Sequence, residues 1–403
     1  MDQFVASHTN APHLCFIVES GTDVRLVEGL ARRFQITIFA RQIQDGVEIS
    51  QTPAAPVHTL CGPSSRIRFA VAVAKFLWNR SRDFDFVLVQ GYGSAALSAN
   101  VVSYISRTPT AMLVCSPIEV YYRLRERYPQ AAKPYRRTEF WGLKALATIN
   151  AFVGRHYIVL SKYLATVVRG HGFRARLDVL PLYGVNTERF SPTDEPREKV
   201  KARLGLPTTG SLIFFSSRIA PEKDGETLLA AVQRLLCKGR NVWLLHRSGG
   251  FEQFRNQADL LGISDRVIAT DAVHPCRDLF QDYRASDICV QGSRAEGLGF
   301  SPLEALACGI PVIAAATGGL LETIVQGKTG WTYPVGDVEA LTACLEEAID
   351  SPEEAKRRAM AGRAMVQARF EEKLVFDRFH DVVTEQINET RKSAGSREVA
   401  SPV

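Results

Sequence analysis

Short apolar runs alternate with longer amphipathic stretches along almost the whole chain. In the first half, LCFIV (14–18), ITIFA (36–40), FVLVQ (86–90), AMLVC (111–115), YIVL (157–160) and DVLPL (178–182) read as strands buried on both faces. Amphipathic patterns at 24–33 and 66–78 read as helices between them. The second half repeats the rhythm with SLIFFS (211–216), VWLLH (242–246), VIAT (267–270), ICVQ (288–291) and PVIAAA (311–316). Continuous apolar strands separated by helices predict parallel sheets covered on both sides. Two such sets in succession predict an α/β chain of two tandem doubly wound, Rossmann-like domains.

The apolar rhythm fails near 183–200, where YGVNTERFSPTDEPREK brings in proline, threonine and charge. The predicted division is an N-terminal domain over 1–185 and a C-terminal domain over 186–372. A last helical pattern at 371–389 predicts a helix, 373–390, returning to the N-terminal domain, before a polar, disordered tail over 391–403. With 46% hydrophobic and 23% charged residues, the 403-residue chain fits neither a disordered protein, a collagen nor a coiled coil. No uncharged apolar run approaches the ~18 residues of a membrane span. The start, MDQFVASHTN, lacks a basic stretch followed by an apolar one and predicts no signal peptide. Eight cysteines without a C-x-x-C pair read as reduced thiols, which places the chain in the cytoplasm. The net charge of +6 divides unevenly: +10 over 1–190 and −4 over 191–403. Nothing in the basic half combines with a nucleic-acid-reading motif, so nucleic acid is not an expected partner.

The stretch RAEGLGFSPLEALACGIPVIAAA (294–316) carries the clearest chemistry. A strand ends at Gln291, a glycine-containing loop follows, and a short helix stops at Gly309 before Pro311. Ser301 suits an N-cap, Pro302 the first helical position and Glu304 the third residue of a capping box. The amides of Gly299, Phe300 and Ser301, with the helix dipole, would favour an anion such as a diphosphate. Glu296 and Glu304 frame that site. Carboxylates repel phosphates and accept hydrogen bonds from hydroxyls, so a diphosphate with a polyhydroxylated group at each end fits. Glu304 has two open roles, hydroxyl ligand and capping residue. In SLIFFSSRIAPEKDGETLLAA (211–231) a strand ends at Ser216, a loop carries Arg218 and Lys223, and a helix starts near 224–225. Two cations there would neutralise a diphosphate, although loop cations are commonly just solvated.

Three blocks, LPLYGVNTERFSP (180–192), SRIAPEKDGETLLAAV (217–232) and 296–337 with its Glu296-x7-Glu304 spacing, resemble the family-4 retaining glycosyltransferases, also called glycosyl transferases group 1. The resemblance implies the GT-B fold, with an inter-domain cleft. It implies transfer of a sugar, with retention, from a UDP- or GDP-sugar to an acceptor, and no metal or other cofactor. Arg218 and Lys223 would hold the donor diphosphate, Glu296 the donor sugar and Glu304 the ribose. The amides of Leu298, Gly299, Phe300 and Ser301 would contact sugar and phosphate. The N-terminal domain would take the acceptor, with Ser20, Gly21 and Ser116 on the acceptor side.

The chain departs from the family pattern in places. Cys115-Ser116-Pro117 stands where a histidine is common, Glu19-Ser20-Gly21-Thr22 where Gly-Gly is common, and Asn186 where aspartate is common. The segment 121–144, rich in bases and aromatics, offers an anionic membrane surface a docking site or is simply a solvated edge. A lipid-linked acceptor, and a peripheral place on the inner face of a membrane, follow from the first option. Two rival readings stand beside the enzyme. One is a non-catalytic nucleotide-sugar-binding or scaffold protein. The other is an NAD-dependent oxidoreductase, suggested by Gly91-x-Gly93-x-x-Ala96 after a strand. Asp83-x-Asp85 matches a short metal motif and more simply precedes the strand at 86–90.

Overall fold

The apolar runs become strands of two parallel sheets, because a strand without a polar face must be covered on both sides. The computed structural model describes residues 11–43, 46–47, 57–126, 135–270 and 279–398. The described chain divides into two compact units. Unit 1 is built from residues up to Cys115, from Arg136–Tyr183 and from Leu374 onward; unit 2 from Ser116–Tyr135 and Gly184–Lys373.

The strands of unit 1 are β1 (His13–Val18), β2 (Gln35–Ile43), β3 (Gly46–Val47), β4 (His58–Gly62), β5 (Phe86–Gln90), β6 (Thr110–Val114), β7 (His156–Val159) and β8 (Arg176–Val179). They are joined in the order β3-β2-β1-β5-β6-β7-β8, with β4 also pairing β2, and every pair but β2–β3 is parallel. Its helices are α1 (Val24–Ala31), α2 (Arg66–Arg80), α3 (Ser94–Ser106), α5 (Arg137–Val153) and α6 (Lys162–Gly170), while α4 (Ile118–Leu124) lies in the segment that joins unit 2. The connections β4 to β5, β5 to β6 and β6 to β7 all run the same way across the sheet. Right-handed crossovers therefore put α2, α3 and α5 on one face and α1, whose connection runs the other way, on the opposite face.

Beyond α4, unit 2 continues with α7 (Arg197–Arg203) and then alternates β9 (Ser211–Phe215), α8 (Gly225–Cys237), β10 (Val242–Arg247), α9 (Phe251–Leu260), β11 (Val267–Thr270), α10 (Leu279–Ala285), β12 (Ile288–Gln291), α11 (Phe300–Ala307), β13 (Val312–Ala315), α12 (Leu320–Thr323) and β14 (Trp331–Tyr333). The helices α13 (Val338–Asp350) and α14 (Pro352–Arg369) follow, and α15 (Glu372–Glu398) ends the described chain. The parallel sheet runs β11-β10-β9-β12-β13-β14 over a core that includes Phe215, Leu228, Leu244, Phe254, Trp331 and Tyr333. Strand order reverses between β9 and β12, and such a reversal opens a crevice at the carboxyl ends of the two strands.

Several expectations are corrected. The strand read to 182 stops at Val179: Pro181 has no amide to give a ladder, and Leu182 takes a left-handed φ of 55°. The tail read as disordered from 391 is helical to Glu398, and Arg391 pairs with Asp85 at 2.6 Å; 399–403 lie outside the described residues. In unit 1, α15 packs on α1, where a Cβ on Gly29 would lie 1.9 Å from the Phe376 ring, and Arg33 donates to Asp377 at 2.7 Å. The segment 121–144 divides between the units, its first part belonging to unit 2 and its second, from Arg136, to unit 1. Residues 127–134 of it lie outside the described residues. Strands β3, β4 and β14 carried too little apolar sequence to be read.

Candidate active site

The loop after β9 is shaped by a single 3-10 turn, Pro221–Lys223, and by Asp224, which takes a left-handed φ of 52° to start α8. That conformation is uncommon for a residue with a side chain, and the surroundings hold it in place. The Asp224 carboxylate accepts from Arg294 Nη2 at 2.6 Å and from Thr227 Oγ1 at 2.8 Å. The Arg294 amide also donates to the Glu222 carbonyl at 2.8 Å. Arg294 thus clasps the loop after β9 to the loop after β12.

The clasp brings Lys223 and Glu296 together, with Nζ 2.5 Å from Oε2 and both side chains largely buried. Ser293 Oγ donates to the same carboxylate oxygen at 3.0 Å and Gln291 Nε2 lies at 3.4 Å. Arg218 behaves differently. Its side chain is 62% exposed and pairs with Glu222 on the same loop. The two cations expected to act alike are therefore one buried, interlocked group and one solvent-facing group.

The helix after the Glu296 loop starts two residues earlier than expected. Gly299, not Ser301, is the N-cap of α11, with φ 95° and no side-chain cap bond. Only glycine suits that backbone and that space, since a Cβ would meet Leu320 Cδ2 at 2.5 Å. Ser301 becomes the second helical residue. The capping-box reading of Glu304 falls with it: the buried Glu304 carboxylate accepts from Tyr283 Oη at 3.0 Å. Tyr283 also lies 3.1 Å from Ser216 Oγ. Burial, with the Glu304 charge beside it, pushes the Tyr283 phenol well above its usual range, so it stays a donor to Glu304. Leu298 is a buried anchor, while Phe300 and Ser301 are half-buried at the helix N-terminus, whose first-turn amides have no partner within the helix. The Gly319 amide donates to the Glu296 carbonyl at 3.0 Å. A Cβ on Gly319 would lie 2.1 Å from the Gly297 carbonyl oxygen, so the two loops touch backbone to backbone.

Unit 2 thus assembles Arg218, Lys223, Glu296, Leu298, Gly299, Phe300, Ser301 and Glu304 on two loops and one helix at its strand-order reversal. The acceptor-side residues divide between the units. Ser20 and Gly21 lie in unit 1, where Gln90 bonds the Ser20 amide at 3.4 Å and the Gly21 carbonyl at 3.0 Å. Ser116 lies in unit 2, and its carbonyl accepts from the Ile118 amide at 3.0 Å. Arg294, Asp224 and Tyr283 were missed. Arg294 opens the stretch already singled out and Asp224 precedes a glycine at a helix start, but Tyr283 gave no sequence signal. The dinucleotide motif meets an obstacle: a Cβ on Gly93 would lie 2.8 Å from Glu19 Oε2. Burial raises the Glu19 pKa, the nearby Arg66 and Arg41 oppose that rise, and its carboxylate accepts from the Ala95 amide at the start of α3. A helix N-terminus already serving a carboxylate does not suit a pyrophosphate.

Parallel sheets in two units, with polar loops at a strand-order reversal, define the class as the GT-B fold. Solved structures agree in fold. HepE of Anabaena, in complex with UDP and glucose, matches with a TM-score of 0.72 at 17% identity, covering 93% of this chain and 100% of that one. Sucrose-phosphate synthase from Thermosynechococcus elongatus matches with a TM-score of 0.73 at 20% identity, over 94% and 100%. Residues 196–365 match the family model described as "Glycosyl transferases group 1", and this is the family that the three sequence blocks resemble. Among curated relatives, the GDP-mannose-dependent alpha-(1-6)-phosphatidylinositol monomannoside mannosyltransferase of Mycolicibacterium smegmatis is 30% identical over 57% of this chain and 60% of its own length. The D-inositol 3-phosphate glycosyltransferase of the same organism is 34% identical over 47% of this chain and 44% of its own length. The chain therefore spans well under two thirds of these relatives.

Proposed function

We propose that this protein is a retaining glycosyltransferase that moves a sugar from a nucleoside-diphosphate sugar to a hydroxyl acceptor without a metal ion. The observation that carries the reading is the buried Lys223–Glu296 pair at the strand-order reversal of unit 2, beside the N-terminus of α11. A diphosphate recruits Lys223 and Arg218 as counter-charges, and the α11 amides add partial positive charge. Glu296 is then free to accept hydrogen bonds from the donor sugar, and Glu304 from the ribose. The bond from the sugar's anomeric carbon to the β-phosphate oxygen breaks, a bond to the acceptor oxygen forms, and the acceptor's proton ends on the released nucleoside diphosphate. Cations held in place before the reaction do what a divalent ion does elsewhere, stabilising charge as it develops on the leaving group.

The names of the curated relatives make GDP-mannose the first donor to test, and inositol phosphates and phosphatidylinositol mannosides the first acceptors. HepE, a fold neighbour also solved in complex with UDP-glucose, adds that donor to the panel. Acceptor-dependent release of nucleoside diphosphate, undiminished by EDTA, is the expected result. Donor binding without release, across a full acceptor panel, would support the scaffold reading instead. Loss of turnover on chelation would refute the metal-free mechanism.

A further inference from the structure

The helices α2, α3 and α5 pack side by side, α3 in the middle, over one face of the unit 1 sheet. Each buries an apolar side against that sheet: Phe69, Val73 and Leu77 on α2, Ala95, Ala99 and Val102 on α3, Ala147 and Ala151 on α5. A helix at the surface of a water-exposed domain should turn polar residues outward. These do not. On α2, Ile67, Val71 and Trp78 share the outer side and are 76%, 65% and 63% exposed. Val101, Tyr104 and Ile105 are exposed on α3, and Trp141, Ile149 and Phe152 on α5. Most of the exposed large apolar side chains among the described residues fall on these three helices. Exposed large apolar side chains gathered on neighbouring helices mark a binding surface.

The charges around it specify the partner. Arg66, Arg68 and Lys75 on α2, Lys144 on α5, and Arg107 and Arg155 just beyond α3 and α5 are exposed. Across the three helices the only acid in the sequence is Glu139. At the rim, a cavity of about 1060 Å³ is lined by Arg82, Arg107, Arg155 and Arg391, with Asp85 and Glu389 also present. Tyr104, Ile105 and Val153 belong both to that cavity and to the apolar face. The Arg155 guanidinium lies 4.7 Å from the centre of the Tyr104 ring.

We propose that the α2–α3–α5 face of unit 1 docks on an anionic phospholipid bilayer, with the arginine-lined cavity at its edge receiving lipid phosphates. Tryptophan and tyrosine suit the headgroup level, and exposed bases are drawn to anionic lipid. A second copy of the chain fits less well, because a two-fold contact would set one basic face against another. The proposal goes beyond glycosyl transfer and does not depend on it, since no donor or acceptor enters its test.

The test is co-sedimentation of the full chain with phosphatidylcholine vesicles, neutral or containing about 30% phosphatidylglycerol. Binding is expected to rise with the anionic fraction and to fall with salt as the screening length shrinks from about 10 Å at 0.1 M to about 3 Å at 1 M. Arg68→Ala with Lys75→Ala should lower partitioning roughly thirtyfold. Trp78→Ala with Phe152→Ala should abolish most of it while the thermal melt stays in place, since both side chains face outward. Arg107→Ala with Arg155→Ala should reduce the preference for anionic over neutral vesicles. An unchanged preference removes the cavity from the proposal. The whole proposal is overturned by negligible binding, by binding indifferent to lipid charge, or by binding that survives both face variants. It is equally overturned if those variants instead dissolve a lipid-independent dimer seen by light scattering.

Discussion

Units 1 and 2 share a parallel sheet with a strand-order reversal, yet they use their side chains in opposite ways. Unit 2 concentrates charge inward at its loops: Lys223 with Glu296 and Asp224 with Arg294 are largely buried pairs that bind two loops together. Its exposed large apolar side chains, such as Leu260, Leu321 and Met360, are scattered. Unit 1 ties its corresponding loop with the Gln90 amide and with Arg41, which donates to the Glu19 carbonyl at 2.7 Å, and gathers apolar side chains on an outer face. A buried charged network demands particular residues at particular positions, and its sequence is recognisable. An apolar docking face accepts any side chain of suitable size and leaves no motif. The family model matches 196–365, residues that lie in unit 2.

The largest expected effect breaks the unit 2 network. Lys223→Ala leaves the Glu296 carboxylate buried without its counter-charge, at a cost on the order of 3 kcal/mol in stability. Turnover should fall by about 10²–10³-fold. Arg218→Ala should also cut turnover but move stability by less than about 0.5 kcal/mol, because that side chain is solvent-facing. Thermal melts and donor turnover on both variants sharpen the contrast; equal melting losses would show that burial does not distinguish the two cations. Lys223→Met combined with Glu296→Gln should recover much of the stability and none of the turnover.

A smaller effect is expected at Glu304. Glu304→Gln retains an acceptor for Tyr283 and removes the charge, so the melt should change little. A hydrogen bond from ribose to a charged acceptor contributes about 1.5–3 kcal/mol, which corresponds to a donor KM raised roughly ten- to hundredfold. An unchanged KM would leave Glu304 with a structural role, as the acceptor for Tyr283.

The smallest expected effect lies in unit 1. Asp178 accepts from His156 Nε2 and from Arg176 Nε, each at 2.8 Å, and Arg176 reaches Glu385 of α15 at 2.5 Å. The hydrogen bond from His156, then that from Arg176, hold the Asp178 carboxyl down to about 2. A carboxyl depressed below its unfolded value of about 3.9 stabilises the fold fully above that value. The contribution is lost as pH falls through about 2. Melts from about pH 5 downward should therefore decline less steeply in Asp178→Asn than in the parent protein. Parallel slopes would mean that acid acts on unit 1 elsewhere.

Much of the fold was legible in the chain itself. Runs such as FVLVQ and ICVQ are apolar up to a closing glutamine and read as strands covered on both faces, and they appear as β5 and β12 with the boundaries expected. The chemistry-bearing loops were legible for a related reason, since glycines, a proline and paired charges at fixed spacing leave a readable pattern. The sequence could not show that Gly299 would cap α11 in place of Ser301. That choice comes from Leu320, distant in sequence, filling the space a side chain would need. Nor could it show that Lys223 would be buried against Glu296 while Arg218 stayed in water, because Arg294 and Asp224 impose that difference across 70 residues of chain. The outer face of α2, α3 and α5 is the clearest case. Each helix alone reads as ordinary core packing. Only the sheet beneath, by taking one side of each, decides which apolar residues are left outside.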